Sequence, residues 1–116
     1  VSVMGRVEAA EAVSDRTGAV VLLKGADTVV TSGSGSTYIN TTGNPGMATG
    51  GSGDVLTGVI TAFAASGIAP LDAARAGAFI HGMAGDLAAG IMGQWGMTAT
   101  DIRDQLPATL RGIVGK

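Results

Sequence analysis

Gly43-Asn44-Pro45-Gly46-Met47-Ala48-Thr49-Gly50-Gly51-Ser52-Gly53-Asp54-Val55-Leu56-Thr57-Gly58 is a glycine-rich loop that runs through one carboxylate into an apolar helix. Glycines let a backbone turn freely and approach a ligand closely. The start of the helix offers unpaired N–H groups and the positive end of a dipole. Together these make an anion site, most often a phosphate site. An aspartate there repels the anion that the loop attracts, so its presence points to chemistry: a base or a metal partner beside a phosphate. The loop is not a Walker A loop, because no Gly-Lys-Ser/Thr closes it, and G-x-G-x-x-G does not occur in it. The plain alternative, a flexible connection before a helix, leaves the density of glycine unexplained.

Downstream, the spacing predicts a helix from Asp54 to about Ser66, capped by Gly67. Pro70 suits the first turn of the next helix, which runs to about Ala89. Leu71, Ala74, Ala78, Phe79, Met83, Leu87 and Ile91 cover more than one of its faces, as in a helix buried on several sides. Ala76, Gly77, Gly82, Ala84 and Gly85 allow close helix packing. Thr98-Ala99-Thr100-Asp101 reads as a capping box, followed by a short helix and a last one from Pro107 to about Val114.

Upstream, Val3, Val7, Ala10 and Val13 recur at helical spacing, with Arg6, Glu8, Glu11 and Asp15 on the other side. Gly18 ends that helix. Ala19-Val20-Val21-Leu22-Leu23 is a continuous apolar run and reads as a buried strand of the parallel-sheet kind. Lys24-Gly25-Ala26-Asp27 is a turn. Thr28–Thr31 and Thr37–Asn40 read as two further strands, and the functional loop runs from Thr41 to Gly53. A strand such as Ala19–Leu23 wants helices on both faces. The order of elements therefore predicts part of an α/β sandwich.

Asp54 has two readings: a favourable acid in a first helical turn, or a general base. As a base it would take the proton of a substrate hydroxyl while that oxygen attacks phosphorus. Lys24 and Gly25 follow a strand, where ligands of α/β sheets collect. The alternative is an ordinary hairpin turn with a solvated lysine. His81, alone in an apolar helix, reads as a hydrogen-bonded packing residue. Trp95, Met47, Met83, Met92 and Met97 read as packing. No histidine or cysteine cluster offers a transition-metal site, whereas Mg²⁺ held mainly by nucleotide phosphates needs few protein ligands.

The 116 residues make one domain with a modest core. A formal net charge of −2 implies no basic face for nucleic acid. The absence of cysteine excludes disulfides and thiol chemistry and fits a reducing cytoplasm. No apolar run reaches membrane length, and no signal peptide is evident. A mean hydropathy of +0.39 is high for a small domain and implies apolar surface covered by something outside these residues.

Asn44–Gly58 closely resembles the signature of the ADP-dependent NAD(P)H-hydrate dehydratases, repair enzymes of the ribokinase-like superfamily. Val20–Val30 is similar to that family's nucleotide-binding strand and turn. Gly67–Ala74, His81–Asp86 and Met97–Ile102 are similar to its later helices. The resemblance implies an α/β fold, the C-terminal half of a ribokinase-like three-layer α/β/α sandwich. Family members are considerably longer, so residues 1–116 are expected to be the C-terminal portion of a single domain. It implies that hydrated NADH or NADPH loses water with ADP (or ATP) as co-substrate and Mg²⁺. The hydrate hydroxyl would be phosphorylated and phosphate then eliminated. Lys24, Gly25, Ala26, Asp27, Thr28 and Gly53 would contact the adenine nucleotide. Gly50, Gly51, Ser52 and Gly53 would form the anion hole. Asp54, as base, and Asn44 would face the hydrate. A cytoplasmic homo-oligomer is expected, with neither nucleic acid nor membrane as partner. The alternatives are a ribokinase-like sugar or vitamin kinase and a non-catalytic nucleotide-binding module.

Overall fold

The computed structural model describes residues 2–115. Helix α1 (Val3–Thr17) is capped at its start by Ser2, whose Oγ accepts from the Gly5 N–H at 3.0 Å. It ends at Gly18, which takes φ 72° and donates its N–H to Ser14 O at 2.8 Å. Strands β1 (Val21–Leu23), β2 (Val29–Thr31) and β3 (Thr37–Ile39) follow, and then α2 (Ser52–Ala65), α3 (Pro70–Met92), α4 (Ala99–Asp104) and α5 (Leu106–Val114).

The sheet is an antiparallel meander in the order β1-β2-β3, with Leu22 opposite Val30 and Val30 opposite Tyr38. This corrects the parallel-type reading of Ala19–Leu23. The connections between the strands are too short for the crossover that a parallel pair requires. It also moves the most buried strand: β2 is buried throughout, whereas β1 is half-buried, with one edge unpaired among the described residues.

Alternation of side chains explains the layers. Val30 and Leu22 pack with Ala74, Ala78 and Leu71 of α3. On the opposite face Thr31 Oγ1 lies 2.8 Å from Thr37 Oγ1, and Thr37 in turn donates to Glu11 of α1. The sheet is thus sandwiched between α1 and α3, the three-layer α/β/α arrangement expected from the resemblance. A second apolar cluster joins Ala84, Ala88, Met97 and Ile102, with Met47, Val55 and Leu106 against it.

Small residues on α3 bring its neighbours close. A Cβ on Gly77 would lie 2.5 Å from Ile60 Cγ1 of α2, and one on Gly85 would enter the Met47 side chain. Thr98 and Asp101 form the expected capping box, with Thr98 N–H donating to Asp101 Oδ2 at 2.8 Å.

Packing expectations fail at Val13 and Trp95, at Met92, which is exposed at the end of α3, and at Phe79, Leu87 and Ile91, which leave one face of α3 exposed. Val13 is exposed, and the polar row of α1 turns toward the sheet: Ser34 Oγ donates to Asp15 at 3.1 Å, and Ser14 donates to Ala19 O at 2.6 Å. The hydroxyls and N–H groups at the ends of short strands need partners, and α1 supplies them. Trp95 is fully exposed in the turn after α3, not packed.

Candidate functional site

The loop is stitched to α3 before it reaches α2. Asn40 Nδ2 donates to Ala78 O at 3.2 Å, and Thr42 Oγ1 donates to Phe79 O at 2.9 Å. Gly82 permits this approach, since a Cβ there would lie 2.7 Å from the Thr42 carbonyl carbon. Asp86 then holds the turn, accepting from Gly43 N–H at 3.0 Å and from Asn44 Nδ2 at 2.9 Å. Asn44 Nδ2 also donates to Gly85 O at 3.1 Å, and Asn44 Oδ1 accepts from Gly46 N–H at 3.0 Å. Asn44 thereby caps a single 3-10 turn, Pro45–Met47, inside what the sequence presents as a continuous loop. Its amide has protein partners on both atoms.

Helix α2 begins at Ser52, two residues earlier than the hydrophobic pattern indicates. Its cap is Gly51, at φ 89°, a left-handed conformation that side chains other than glycine's rarely adopt. Asp54 is therefore the third helical residue, and it is exposed. Ser52 N–H is engaged by Thr49 O at 3.2 Å, and Asp54 N–H by Gly51 O at 3.1 Å. The N–H groups of Gly50, Gly51 and Gly53 donate to no described residue. Three unpaired donors at a helix start are the geometry that receives an anion.

Lys24 lies in the exposed turn between β1 and β2, far from this loop in sequence. Its Nζ lies so close to Gly53 that a Cβ there would clash with it. The fold thus joins Lys24 to the loop: an ammonium, three backbone donors and the Asp54 carboxylate share one end of α2. The Lys24–Thr28 turn is a true hairpin turn, as the plain reading held, and its lysine still reaches the loop. Thr28 Oγ1 donates to Gly25 O at 3.2 Å, closing the turn on itself. Ala26 and Asp27 are exposed beside it.

His81 is buried, as its packing reading requires, and its Nε2 lies 3.5 Å from Ser52 Oγ beneath the first turn of α2. Burial pushes its pKa below the ordinary histidine value. Hydrogen bonding to the Ser52 backbone opposes that shift, and the positive charge of Lys24 adds to it. A neutral ring supports the anion loop without adding a second cation under it.

A groove of about 540 Å³ opens beside Asp54, with Val55, Val59, Phe63, Leu106 and Arg103 among its walls. Its surface is predominantly apolar. Among the described residues no group of three His, Asp or Glu side chains could hold a metal ion. No described helix is long and apolar enough to cross a membrane.

Three residues of this site escaped the sequence reading: Arg6, Asp86 and, as a support of the loop, His81. Arg6 donates to the carbonyls of Leu23, Lys24 and Asp27 at 3.0, 2.7 and 2.8 Å, spanning the hairpin turn. No local motif marks it. Asp86 had one signal, a lone carboxylate in an otherwise uncharged stretch of α3.

Comparison with known proteins gives a consistent picture. The family model described as NAD(P)H-hydrate dehydratase matches residues 2–108. The bifunctional NAD(P)H-hydrate repair enzyme of Moorella thermoacetica is 57% identical over 95 residues, 82% of this chain and 18% of that protein. The ADP-dependent (S)-NAD(P)H-hydrate dehydratase of Neisseria meningitidis serogroup B is 50% identical over 70 residues, 60% of this chain and 24% of that protein. Among solved structures, an ADP/ATP-dependent NAD(P)H-hydrate dehydratase from Bacillus subtilis, co-crystallized with ATP/Mg²⁺, superposes with a TM-score of 0.87 at 29% identity. The match covers 94% of this chain and 39% of that one. The chain spans about a fifth of the length of the bifunctional relatives it matches.

Proposed function

The chain belongs to the NAD(P)H-hydrate dehydratase family, and on that premise we propose that it carries the phosphoryl-transfer site of a nucleotide-dependent NAD(P)H-hydrate dehydratase. The observation that carries this reading is the meeting of Lys24 with Gly53 at the start of α2, beside Asp54.

In this reading the Lys24–Thr28 turn and Gly53 receive ADP or ATP, and the N–H groups of Gly50, Gly51 and Gly53 cradle its phosphates. The unpaired donors and the bare Cα of Gly53 fit a phosphate. Mg²⁺ brought with the nucleotide would need few protein ligands, as the described residues hold no cluster of three His, Asp or Glu, and it would supply neutralisation of phosphate charge. Asp54 accepts the proton of the hydrate hydroxyl as that oxygen bonds to the terminal phosphorus and the bond to the bridging oxygen breaks. The nucleotide departs one phosphate shorter. The neighbouring ring carbon then gives up a proton and phosphate leaves with the C–O electron pair, which restores the double bond of the reduced cofactor. Lys24 and the loop donors steady the charge that develops on phosphate oxygens.

A sugar or vitamin kinase shares the first half of this chemistry. The apolar groove beside Asp54 favours the dehydratase: a reduced ring tolerates apolar walls, whereas a sugar needs its hydroxyls paired. Homo-oligomerisation is part of the proposal, supported by the exposed Phe79, Leu87 and Ile91 of α3. A cytoplasmic location is supported by the lack of cysteine. The test is to supply the protein with NADPH hydrate, ADP and Mg²⁺. Recovery of nicotinamide absorbance, with one nucleoside monophosphate and one phosphate formed per turnover, is expected. ADP consumption only with added sugars or vitamins would favour the kinase.

A further inference from the structure

The guanidinium of Arg6 reaches across from α1 and takes three main-chain carbonyls of the β1–β2 turn, Leu23 and Lys24 through Nη2 and Asp27 through Nη1. These carbonyls lie at the two ends of the turn, so one planar group ties both ends together. A guanidinium can do this because its donors form a rigid fork, which an ammonium lacks. Gly25 sits flat against it: a Cβ there would lie 2.5 Å from Nη2 and 2.8 Å from Cζ. Holding the Lys24 carbonyl at 2.7 Å fixes the backbone from which the Lys24 side chain departs toward Gly53. Helix α1 is itself anchored to the sheet through Glu11 to Thr37 and Asp15 to Ser34. The turn is therefore held by a strap whose other end is tied down.

We infer that Arg6 is a positioning residue of the nucleotide site, holding the Lys24–Asp27 turn in the one conformation that brings Lys24 to the anion loop. This rests on the nucleotide site proposed above. Its energetic sense is preorganisation. If the turn adopts the competent shape only a fraction of the time, the apparent affinity for nucleotide falls by that fraction. Chemistry at Asp54, once the nucleotide is bound, is unaffected.

The test is titration of the protein with ADP by calorimetry, followed by steady-state kinetics with NADPH hydrate, for wild type, Arg6→Lys, Arg6→Ala and Gly25→Ala. Arg6→Lys keeps the charge and loses the fork. It should raise Kd and KM for ADP about tenfold, as for a turn competent about a tenth of the time, with kcat within about twofold. Gly25→Ala leaves Arg6 in the chain but displaces its guanidinium, and should act in the same direction. Arg6→Ala should be weaker still in binding, and Arg6→Lys should recover part of the loss. Equal ADP affinity in wild type and Arg6→Lys overturns the inference while leaving the function standing. So does a lowered melting temperature with unchanged KM, because that is a purely structural role. If wild type binds no ADP, the nucleotide site and this inference fall together.

Discussion

Lys24 Nζ approaches Gly53 so closely that a Cβ at position 53 would clash with it, which sets the ammonium against the first turn of α2. Two segments that are separate in sequence become one charged surface through that contact. Glycine at position 53 is what lets a lysine lie there.

Gly53→Ala should therefore separate stability from function. The alanine methyl pushes aside only the end of a flexible lysine, and alanine is the better helix former by roughly 0.5–1 kcal/mol. The melting temperature should hold or rise while ADP affinity falls. In a Lys24→Ala background the same change should cost less affinity than in wild type, a non-additivity that a double-mutant cycle measures. Additive effects would mean that the two residues act independently.

Asp54→Asn should lower kcat by about 10²–10⁴, the usual contribution of a positioned base. The amide keeps the shape and loses the negative charge beside the phosphate site. ADP binding should stay as tight as in wild type or become tighter. Loss of ADP binding together with activity would make Asp54 a nucleotide ligand, and retention of full activity would remove it as the base.

Gly82 and Gly90 lie on the same helix and should respond oppositely to alanine. A Cβ at Gly82 meets the Thr42 main chain at 2.7 Å, which cannot yield as a side-chain end would, whereas nothing lies within 4 Å of a Cβ at Gly90. Gly82→Ala should destabilise by about 1–3 kcal/mol through overpacking. Gly90→Ala should be neutral or stabilising by up to about 1 kcal/mol. Denaturant melts of the two variants give the comparison.

His81 makes stability depend on pH with a defined sign. Its folded pKa lies below the ordinary value, chiefly through burial, so the unfolded chain binds the proton more readily than the folded one. Stability is then full above about pH 6.5 and falls as pH drops from there through the lowered folded value. Thermal melts between about pH 8 and pH 5 should show this loss, and His81→Gln should flatten it in that range. A slope of the opposite sign would mean that the folded state binds the proton more readily than the unfolded one.

Much of the molecule was legible because its signals are local. Gly18, Pro70 and the Thr98–Asp101 box set helix ends within a turn, and such signals need no knowledge of the rest of the chain. Gly43–Gly58 is legible as a candidate anion loop for the same reason. The parallel-type reading of Ala19–Leu23 failed because an apolar run reports burial and says nothing of partner direction. The helical pattern of α1 misplaced Val13 because hydrophobic spacing cannot register the polar needs of a sheet end, which Glu11, Ser14 and Asp15 meet.

The sequence by itself determined the elements, the cradle and the candidate base, since glycine freedom, helix capping and apolar period act over a few residues. Only the tertiary structure decided which distant groups complete the cradle. It put Lys24 on Gly53, His81 under Ser52, Asp86 on Asn44 and Arg6 across the β1–β2 turn. Each of these contacts joins segments on different elements, and their relative placement is set by how α1 and α3 pack on the two faces of β2.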